Sequence, residues 1–462
     1  MFDSSEGKAL VSASHRTEVS RRKSGRRRAC IAALAAVTLT AVMSACGSSG
    51  GGGGSQAASH STLTFADVAP FSGPDAALGP IYLVSCDGTT NAINAAGGIL
   101  GHKVACTTAD TRGEPADAVP AVGNLFANTK NLELVIGCTS DEAASVVPVI
   151  NKDKTVMFCM TGQSEFDHVK YPYFYRLVPP DLAESYAMTV IAKQLGYTKI
   201  ALAFGNDIGS QTFVQPAVAA IAKAGLHVVA NVTLDLHATT FRSEAAKIVA
   251  AHPDAIMTEA LGNADPTLFA EIKQLNGGHM IPIVGTSAAI SPAFYSASAK
   301  AVGAAQFSAN FHADNLVTAT SGPAYQAFTK ALLAVKGKVS GAQTGDFTTY
   351  FTAPGAVHLY DGMNLAALSM IAAGSTDVAK WKPWIAKIGD GVPGAVVVNS
   401  FAQGVADLKA GKKIHYVGPG GPTSFDAYHD SPGIFQIDTY SPSGAVKVAG
   451  SITDAQLRAV SP

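Results

Sequence analysis

Lys199-Ile-Ala-Leu-Ala-Phe204, then Gly205-Asn-Asp-Ile-Gly-Ser210, then Thr212 to Ala224 closed by Gly225, then His227 to Val232: this run sets the fold. It reads as a short apolar strand, a polar loop, a helix stopped by glycine, and a second strand. Strands joined through helices of this length pair in parallel, with the helices covering the sheet. Outward from this unit the texture repeats. Ala255–Thr258 reads as a strand, and Asp265-Pro266 as the cap and first residue of a helix that Gly277 ends. Ile281–Val284 reads as a strand, and Ser291-Pro292 as the cap of the next helix. Upstream, strands are predicted at Leu63–Ala69, Lys103–Thr107, Leu132–Gly137 and Thr155–Met160. Helices are predicted from Pro80 to Ala96, from Glu114-Pro115, and through Val146 and Val147. Two such runs in series predict two α/β lobes with parallel sheets. Residues 306–462 are more mixed, with a long apolar helix over Tyr360–Ala373 and a Gly-, Pro- and aromatic-rich tail that reads as hairpins.

The first 60 residues have a different character. A basic arm, Arg21-Arg22-Lys23 and Arg26-Arg27-Arg28, precedes the apolar run Ile31 to Val42, and Met43-Ser44-Ala45-Cys46 follows. This order is that of a secretory signal peptide over residues 1–45. Met43 to Cys46 resembles a bacterial lipobox, which makes Cys46 the lipidated first residue of the mature chain. An ordinary cleaved signal with an incidental cysteine is the alternative. A membrane span is disfavoured, because the run falls short of the ~20 residues that cross a bilayer. Residues 46–61 then read as a lipidated Cys and a flexible Gly/Ser linker.

Charge is front-loaded. Of 33 Lys/Arg and 34 Asp/Glu, eight and three fall in residues 1–45, which leaves 25 against 31 in the remainder, a net of −6. A mildly acidic body excludes nucleic acid as the expected partner, since phosphate binding needs a cationic surface. Four cysteines follow Cys46: Cys86, Cys106, Cys138 and Cys159. Outside the cytoplasm an even count permits two disulfides in three connectivities. Cys86–Cys106 with Cys138–Cys159 is the preferred pairing, the second joining the ends of consecutive strands; four buried thiols are the alternative. No Cys-x-x-Cys or His-x-x-x-His pair is present, so no metal is expected.

In open parallel sheets, ligands collect beyond the C-terminal strand ends. Those loops are small and polar here: Pro70-Phe71-Ser72-Gly73-Pro74, Cys138-Thr139-Ser140-Asp141 and Thr161-Gly162-Gln163-Ser164 in the first run. The second run has Gly205 to Ser210, Glu259-Ala260-Leu261-Gly262-Asn263 and Gly285-Thr286-Ser287. Hydroxyls and free N–H groups at helix N-termini suit a small anion such as a carboxylate, although the same residues also cap helices with no ligand present. Catalysis has less support. No Gly-x-Ser-x-Gly elbow or P-loop is present, and His312, His358 and His429 read as surface or packing residues. Gly97-Gly98-Ile99-Leu100-Gly101 follows a helix rather than a strand and reads as a helix-to-strand turn. The chain is expected to be no enzyme and to need no cofactor.

Several segments together resemble a known family. They are Pro70 to Pro74, Asn91-Ala-Ile-Asn-Ala-Ala-Gly-Gly-Ile-Leu-Gly-His-Lys103, Ala109 to Ala118, Val135-Ile-Gly137, Ala201 to Gly209, Phe241 to Lys247, and Ile414-His-Tyr-Val-Gly-Pro-Gly-Gly-Pro-Thr-Ser-Phe-Asp426. They resemble the type I periplasmic binding proteins, in particular the branched-chain amino-acid binding proteins of ABC importers, from about residue 62 to about 440. The resemblance implies two Rossmann-like lobes joined by a three-strand hinge: residues 62–178 plus 306–435, and residues 179–305 plus 436–462. It implies capture of a small polar or amphipathic metabolite (an amino acid, amide or organic acid) and its delivery to a membrane permease. A ligand-sensing module of a receptor system is the alternative, and a secreted hydrolase a lesser one.

The resemblance also assigns the carboxylate-holding loops to Thr139-Ser140-Asp141 and Thr161-Gly162-Gln163-Ser164. Here the chain departs from the family. Ile208 stands where an aromatic is expected before Gly209, Thr286-Ser287 stands where an acid is expected, and Asp141 stands where a hydroxyl is usual. A buried ammonium without a carboxylate partner costs several kcal/mol. Either Glu259 or Asp141 therefore supplies the acid, or the ligand lacks an ammonium, and a standard branched-chain amino acid is not expected. The candidate ligand-binding residues are Phe71, Ser72, Thr139, Ser140, Asp141, Thr161, Gln163, Ser164, Asp207, Ile208, Glu259, Leu261, Thr286 and Ser287.

Overall fold

The computed structural model describes residues 61–462 except Leu261, residues 343–346 and Pro432. The predicted signal peptide, Cys46 and the predicted linker through residue 60 lie outside the described residues.

Five strands form the first sheet: β1 (Leu63–Ala69), β2 (Val104–Asp110), β3 (Leu132–Gly137), β4 (Met157–Cys159) and β5 (Phe174–Arg176). Their order is β2-β1-β3-β4-β5 and every pairing is parallel. Central β1 is buried at six of its seven positions, whereas edge strand β2 alternates with solvent. A parallel strand covered on both faces must be apolar throughout, and an edge strand need not be. Helices α1 (Gly79–Ala95), α2 (Pro115–Asn128) and α3 (Ser140–Lys152) connect these strands. Glu114 caps α2 with Pro115 at its first position, where a missing N–H costs nothing. Gly98 makes the turn after α1, where Ile99 and His102 exchange backbone hydrogen bonds, so this glycine run is a turn and no dinucleotide loop.

The chain then crosses to a second sheet through α4 (Asp181–Gln194). Strands β6 (Lys199–Gly205), β7 (His227–Leu234), β8 (Ala255–Glu259), β9 (Ile283–Gly285) and β10 (Phe311–Leu316) repeat the order of the first sheet: β7-β6-β8-β9-β10, all parallel. Between them lie α5 (Ile208–Gln211), α6 (Val214–Lys223), α7 (Arg242–Ala250), α8 (Ala264–Leu275), α9 (Pro292–Val302) and α10 (Ala304–Asn310). The helix predicted over 212–224 is α6, and the short α5 precedes it within the loop read as polar. Asp207 accepts the Ser210 N–H and starts a short turn of helix early, and the longer helix begins at Val214. Asp265 is an interior residue of α8 rather than its cap: its carboxylate accepts from the Thr258 hydroxyl and the Ala260 N–H.

A second crossing returns the chain to the first lobe, where α11 (Gly322–Leu333) and α12 (Pro354–Ala373) pack on α1. Of the 20 residues of α12, 15 are buried, so it is a core helix without an amphipathic stripe. Gly355 allows this approach, since a Cβ there would stand 2.4 Å from Tyr82 Cε1. A small sheet follows: β11 (Val396–Val398), β12 (Ile414–Gly418) and β13 (Gly421–Pro422). The third crossing leads to β14 (Phe435–Tyr440), antiparallel beside β10, and then to β15 (Val446–Ser451). The predicted boundary at residue 306 is therefore too early, because β10 pairs within the second sheet and the crossing comes after Leu316. His312, Asp314 and Asn315 make β10 look unlike a buried strand. Asn315 is nevertheless buried, with its amide donating to Asp438 on neighbouring β14 at 2.7 Å.

Two disulfides brace the first lobe. Cys86–Cys106 ties α1 to β2, and Cys138–Cys159 ties the end of β3 to the end of β4, with Cα separations of 5.9 and 5.4 Å. Among the described residues no helix is long and apolar enough to cross a membrane.

Candidate functional site

The C-terminal strand ends of both sheets face one cleft, where 22 residues line a cavity of about 110 Å³. A cavity of ~150 Å³ accommodates a benzene, so this one suits a compact small molecule. The first lobe supplies the β3–α3 loop and the residues after β4. The second supplies the start of α4, the loops after β6 and β9, and Glu259 at the end of β8. Cys138, at φ 54°, turns the chain sharply out of β3, and its disulfide holds that turn against the exit of β4.

Thr139 precedes α3, and both its polar groups are already used. Its hydroxyl donates to Glu142 Oε2, and its N–H donates to Glu142 Oε1 at 3.0 Å. Glu142 also accepts from the Thr111 hydroxyl at 3.0 Å, and burial raises its carboxyl to about 6. Ser140 Oγ shares a hydrogen bond of 3.1 Å with Thr161 Oγ1. Asp141 reaches across the cleft, where its Oδ1 accepts the Gly209 N–H at 2.9 Å. Gly209 permits this contact between lobes, because a Cβ there would meet Ser140 Cβ at 3.2 Å. Burial first, and then the charge of Asp207, raise the Asp141 carboxyl; burial and Asp141 raise that of Asp75.

The second lobe is acidic too. Asp207 caps α5, accepting the Ser210 N–H at 2.7 Å. Asp181 accepts from the Thr212 hydroxyl at 2.5 Å, and burial raises it to about 8. Glu184 accepts from the Ser287 hydroxyl at 2.9 Å and is raised by burial to about 7. Glu259 accepts from the Thr286 hydroxyl, and desolvation pushes it well above the usual carboxylate range. None of the 22 lining residues is Lys, Arg or His. Arg176 is fully buried but already paired, with Asp167 and Asp430 each at 2.7 Å. Leu78, Ile81, Tyr82, Met160, Val178, Phe213 and Ile290 form the apolar wall. Among the described residues, no group of three or more His, Cys, Asp or Glu could hold a metal ion.

Of the residues predicted from sequence, Thr139, Ser140, Asp141, Asp207, Glu259 and Ser287 line this cavity. The others stand differently. Phe71 and Ser72 turn to Asp110, which accepts both their N–H groups and the Ser72 hydroxyl. Thr161 supports Ser140 from behind, and Gly162 lines the cavity in place of Gln163 and Ser164. Gln163 is buried, and its side-chain amide has no hydrogen-bond partner. Ile208 is 47% exposed and lines an adjoining cavity. Thr286 serves Glu259, and Leu261 lies outside the described residues. The expectation of free hydroxyls and N–H groups for a ligand carboxylate is corrected at Thr139, whose donors are taken by Glu142. Tyr82, Asp181, Glu184 and Phe213 were not predicted. Pro179-Pro180-Asp181, ahead of Glu184 in the same first helical turn, was the available signal for the two acids.

Comparisons with known proteins agree with this architecture. The sequence matches the profile of the periplasmic binding protein family over residues 62–382. It is 31% identical over 107 residues to the Leu/Ile/Val-binding protein homolog 3 of Brucella melitensis, covering 23% of this chain and 28% of that one. The chain thus matches under a third of the length of such curated relatives. The leucine binding protein LivK of Thermotoga maritima superposes with a TM-score of 0.66 at 17% identity, over 85% of this chain and 99% of that one. The branched-chain amino acid transporter substrate binding protein LivJ of Streptococcus pneumoniae, solved in complex with isoleucine, gives 0.65 at 19% identity, over 84% and 99%. At these identities the structural likeness concerns the fold. With its profile match spanning both lobes and the cleft between them, the chain belongs to the periplasmic binding protein family.

Proposed function

We propose that this chain is an extracytoplasmic solute-binding lipoprotein that closes on a small polar or amphipathic solute and delivers it unaltered to an ABC importer. The observation that carries the reading is the Asp141–Gly209 hydrogen bond, a direct tie between lobes at the edge of the lined cavity. A bond of this kind is made only when the lobes are shut, so solute contacts to both lobes would add to it and shift the population toward the closed form. The names of the matched relatives, a Leu/Ile/Val-binding protein homolog and a transporter substrate binding protein, support small-solute capture and transport. The lipid anchor rests on the leader and on Met43-Ser44-Ala45-Cys46. The linker would keep the captured solute close to a permease at high local concentration.

Purification from the native host under mild conditions, followed by denaturation and mass spectrometry of the released small molecules, tests the reading. An unaltered solute is expected with the protein, along with a diacylglyceryl modification on Cys46. Conversion of a solute during incubation with the protein would refute it.

A further inference from the structure

The cleft has an electrostatic character that a site for carboxylate-bearing solutes would not share. Helix N-termini attract anions through their free N–H groups and the helix dipole. Three helices begin at this cleft, and each carries its own acid there: Asp141 and Glu142 on α3, Asp181 and Glu184 on α4, and Asp207 as the cap of α5. At α3 and α5 the N–H groups of Thr139, Gly209 and Ser210 are already taken by the carboxyls of Glu142, Asp141 and Asp207. Glu259 adds a further acid from the end of β8, and no cationic side chain lines the wall to offset any of them.

A second, independent observation lies next to it. An adjoining cavity of about 250 Å³ shares Asp141 and Asp207 with the first, so these two acids stand between the two spaces. Asp75, only 2% exposed, lines the adjoining cavity, and its Oδ1 has no hydrogen-bond partner. Asp207 Oδ2 is likewise buried without a partner. Buried polar atoms in folded proteins are almost always satisfied. The Asp75 carboxyl shares a hydrogen bond with Asp141, which leaves Asp75 Oδ1 and Asp207 Oδ2 as unsatisfied oxygens on residues that line the two cavities, and a cationic donor answers both. His237, in the wall of the adjoining cavity, is the base that faces this end.

We propose that the solute taken by this cleft is an organic amine, bound as an ammonium cation and bearing no carboxylate. The inference rests on the reading of the cleft as a solute site and narrows its ligand class. The ammonium sits among Asp141, Asp207, Glu184 and Glu259, and the carbon skeleton lies on Tyr82, Phe213 and Met160. A longer amine with a second ammonium reaches Asp75 in the adjoining cavity. Burial has raised the carboxyls of Asp75, Asp141, Glu184 and Glu259, so part of them hold protons at neutral pH before an amine arrives. An arriving ammonium favours their ionised forms and expels protons, whereas an arriving carboxylate would draw protons in.

Matched sets of probes test this by titration calorimetry of the mature protein at pH 7: isoamylamine, leucine and isocaproate, then phenethylamine, phenylalanine and hydrocinnamate, with putrescine as the diamine. At least one amine is expected to bind tenfold or more tightly than its amino-acid and carboxylate partners. Repeating the titration in buffers of different ionisation enthalpy is expected to show protons released. Asp207→Asn is expected to weaken that amine tenfold or more while the circular-dichroism melt stays intact. An amino acid or carboxylate that binds as tightly as its matched amine overturns the inference and leaves solute capture standing, as does proton uptake on binding. Silence from every amine also overturns it. Solute capture itself fails on a different result, the absence of lobe closure with every member of a broad solute panel.

Discussion

Removing either disulfide should cost nearly the same stability but have different consequences for binding. The bridges close loops with sequence separations of 20 and 21 residues. Cross-linking such a loop restricts the unfolded chain, and the loop-entropy relation gives about 3 kcal/mol for each. The loops do not overlap in sequence, so the two losses should add to about 6 kcal/mol. Cys138 and Cys159 immediately precede Thr139 and Met160, both in the cavity wall, whereas Cys86 and Cys106 brace α1 against edge strand β2. Cys138→Ala/Cys159→Ala should therefore also lower solute affinity, by tenfold or more, because the turn at Cys138 is no longer held to β4. Cys86→Ala/Cys106→Ala should leave affinity within about twofold, by the same reasoning that distant sites act independently. Urea unfolding followed by far-ultraviolet circular dichroism measures the stability loss, and calorimetry with a bound solute measures the affinity. Losses below about 1 kcal/mol, or equal effects of the two variants on affinity, would refute the assignment of the second bridge to the cleft.

Other consequences can be checked separately. Burial raises Asp181 and Asp361 to about 8 and Asp265 to about 7, against unfolded values near ~3.9. The folded chain therefore holds more protons than the unfolded one, and stability should fall as pH rises from about 4 through 8. A melting temperature that climbs from pH 5 to pH 8 would contradict this. Arg176→Met should cost roughly 3–5 kcal/mol, since it strands the acids Asp167 and Asp430 that a fully buried guanidinium now pairs. Chemical denaturation reads this directly, and a loss under about 1 kcal/mol would mean that the pair is not sealed from water. Gly355→Ala should cost about 1–3 kcal/mol, because its methyl would collide with the Tyr82 ring; an unchanged melt would show that α1 can shift. Asp141→Ala removes the inter-lobe acceptor, a charged hydrogen bond worth about 1.5–3 kcal/mol, and should shift the empty protein toward an open form in scattering.

The parallel architecture was legible because strands buried on both faces must be nearly all apolar, and because Gly225 and Ser291-Pro292 punctuate their helices by local chemistry. Strand β10 was not legible as part of the second sheet. Its Asn315 is served by Asp438, more than a hundred residues away, and no local pattern records that. The same limit governs the site. The loops after β3 and β6 sit at strand ends and were found from topology. Asp181 and Glu184 reach the cleft only because α4 begins at the first crossing between lobes. Whether a hydroxyl is free for a ligand is decided by its neighbour in space: Thr139 gives its donors to Glu142, and Ser72 gives its own to Asp110.

Small-angle scattering of the mature protein with and without a solute recovered from it tests the central claim most directly. Closure of the two lobes predicts a smaller radius of gyration on addition of the solute. A profile that stays the same with every solute supplied, while the protein remains folded, would contradict the account.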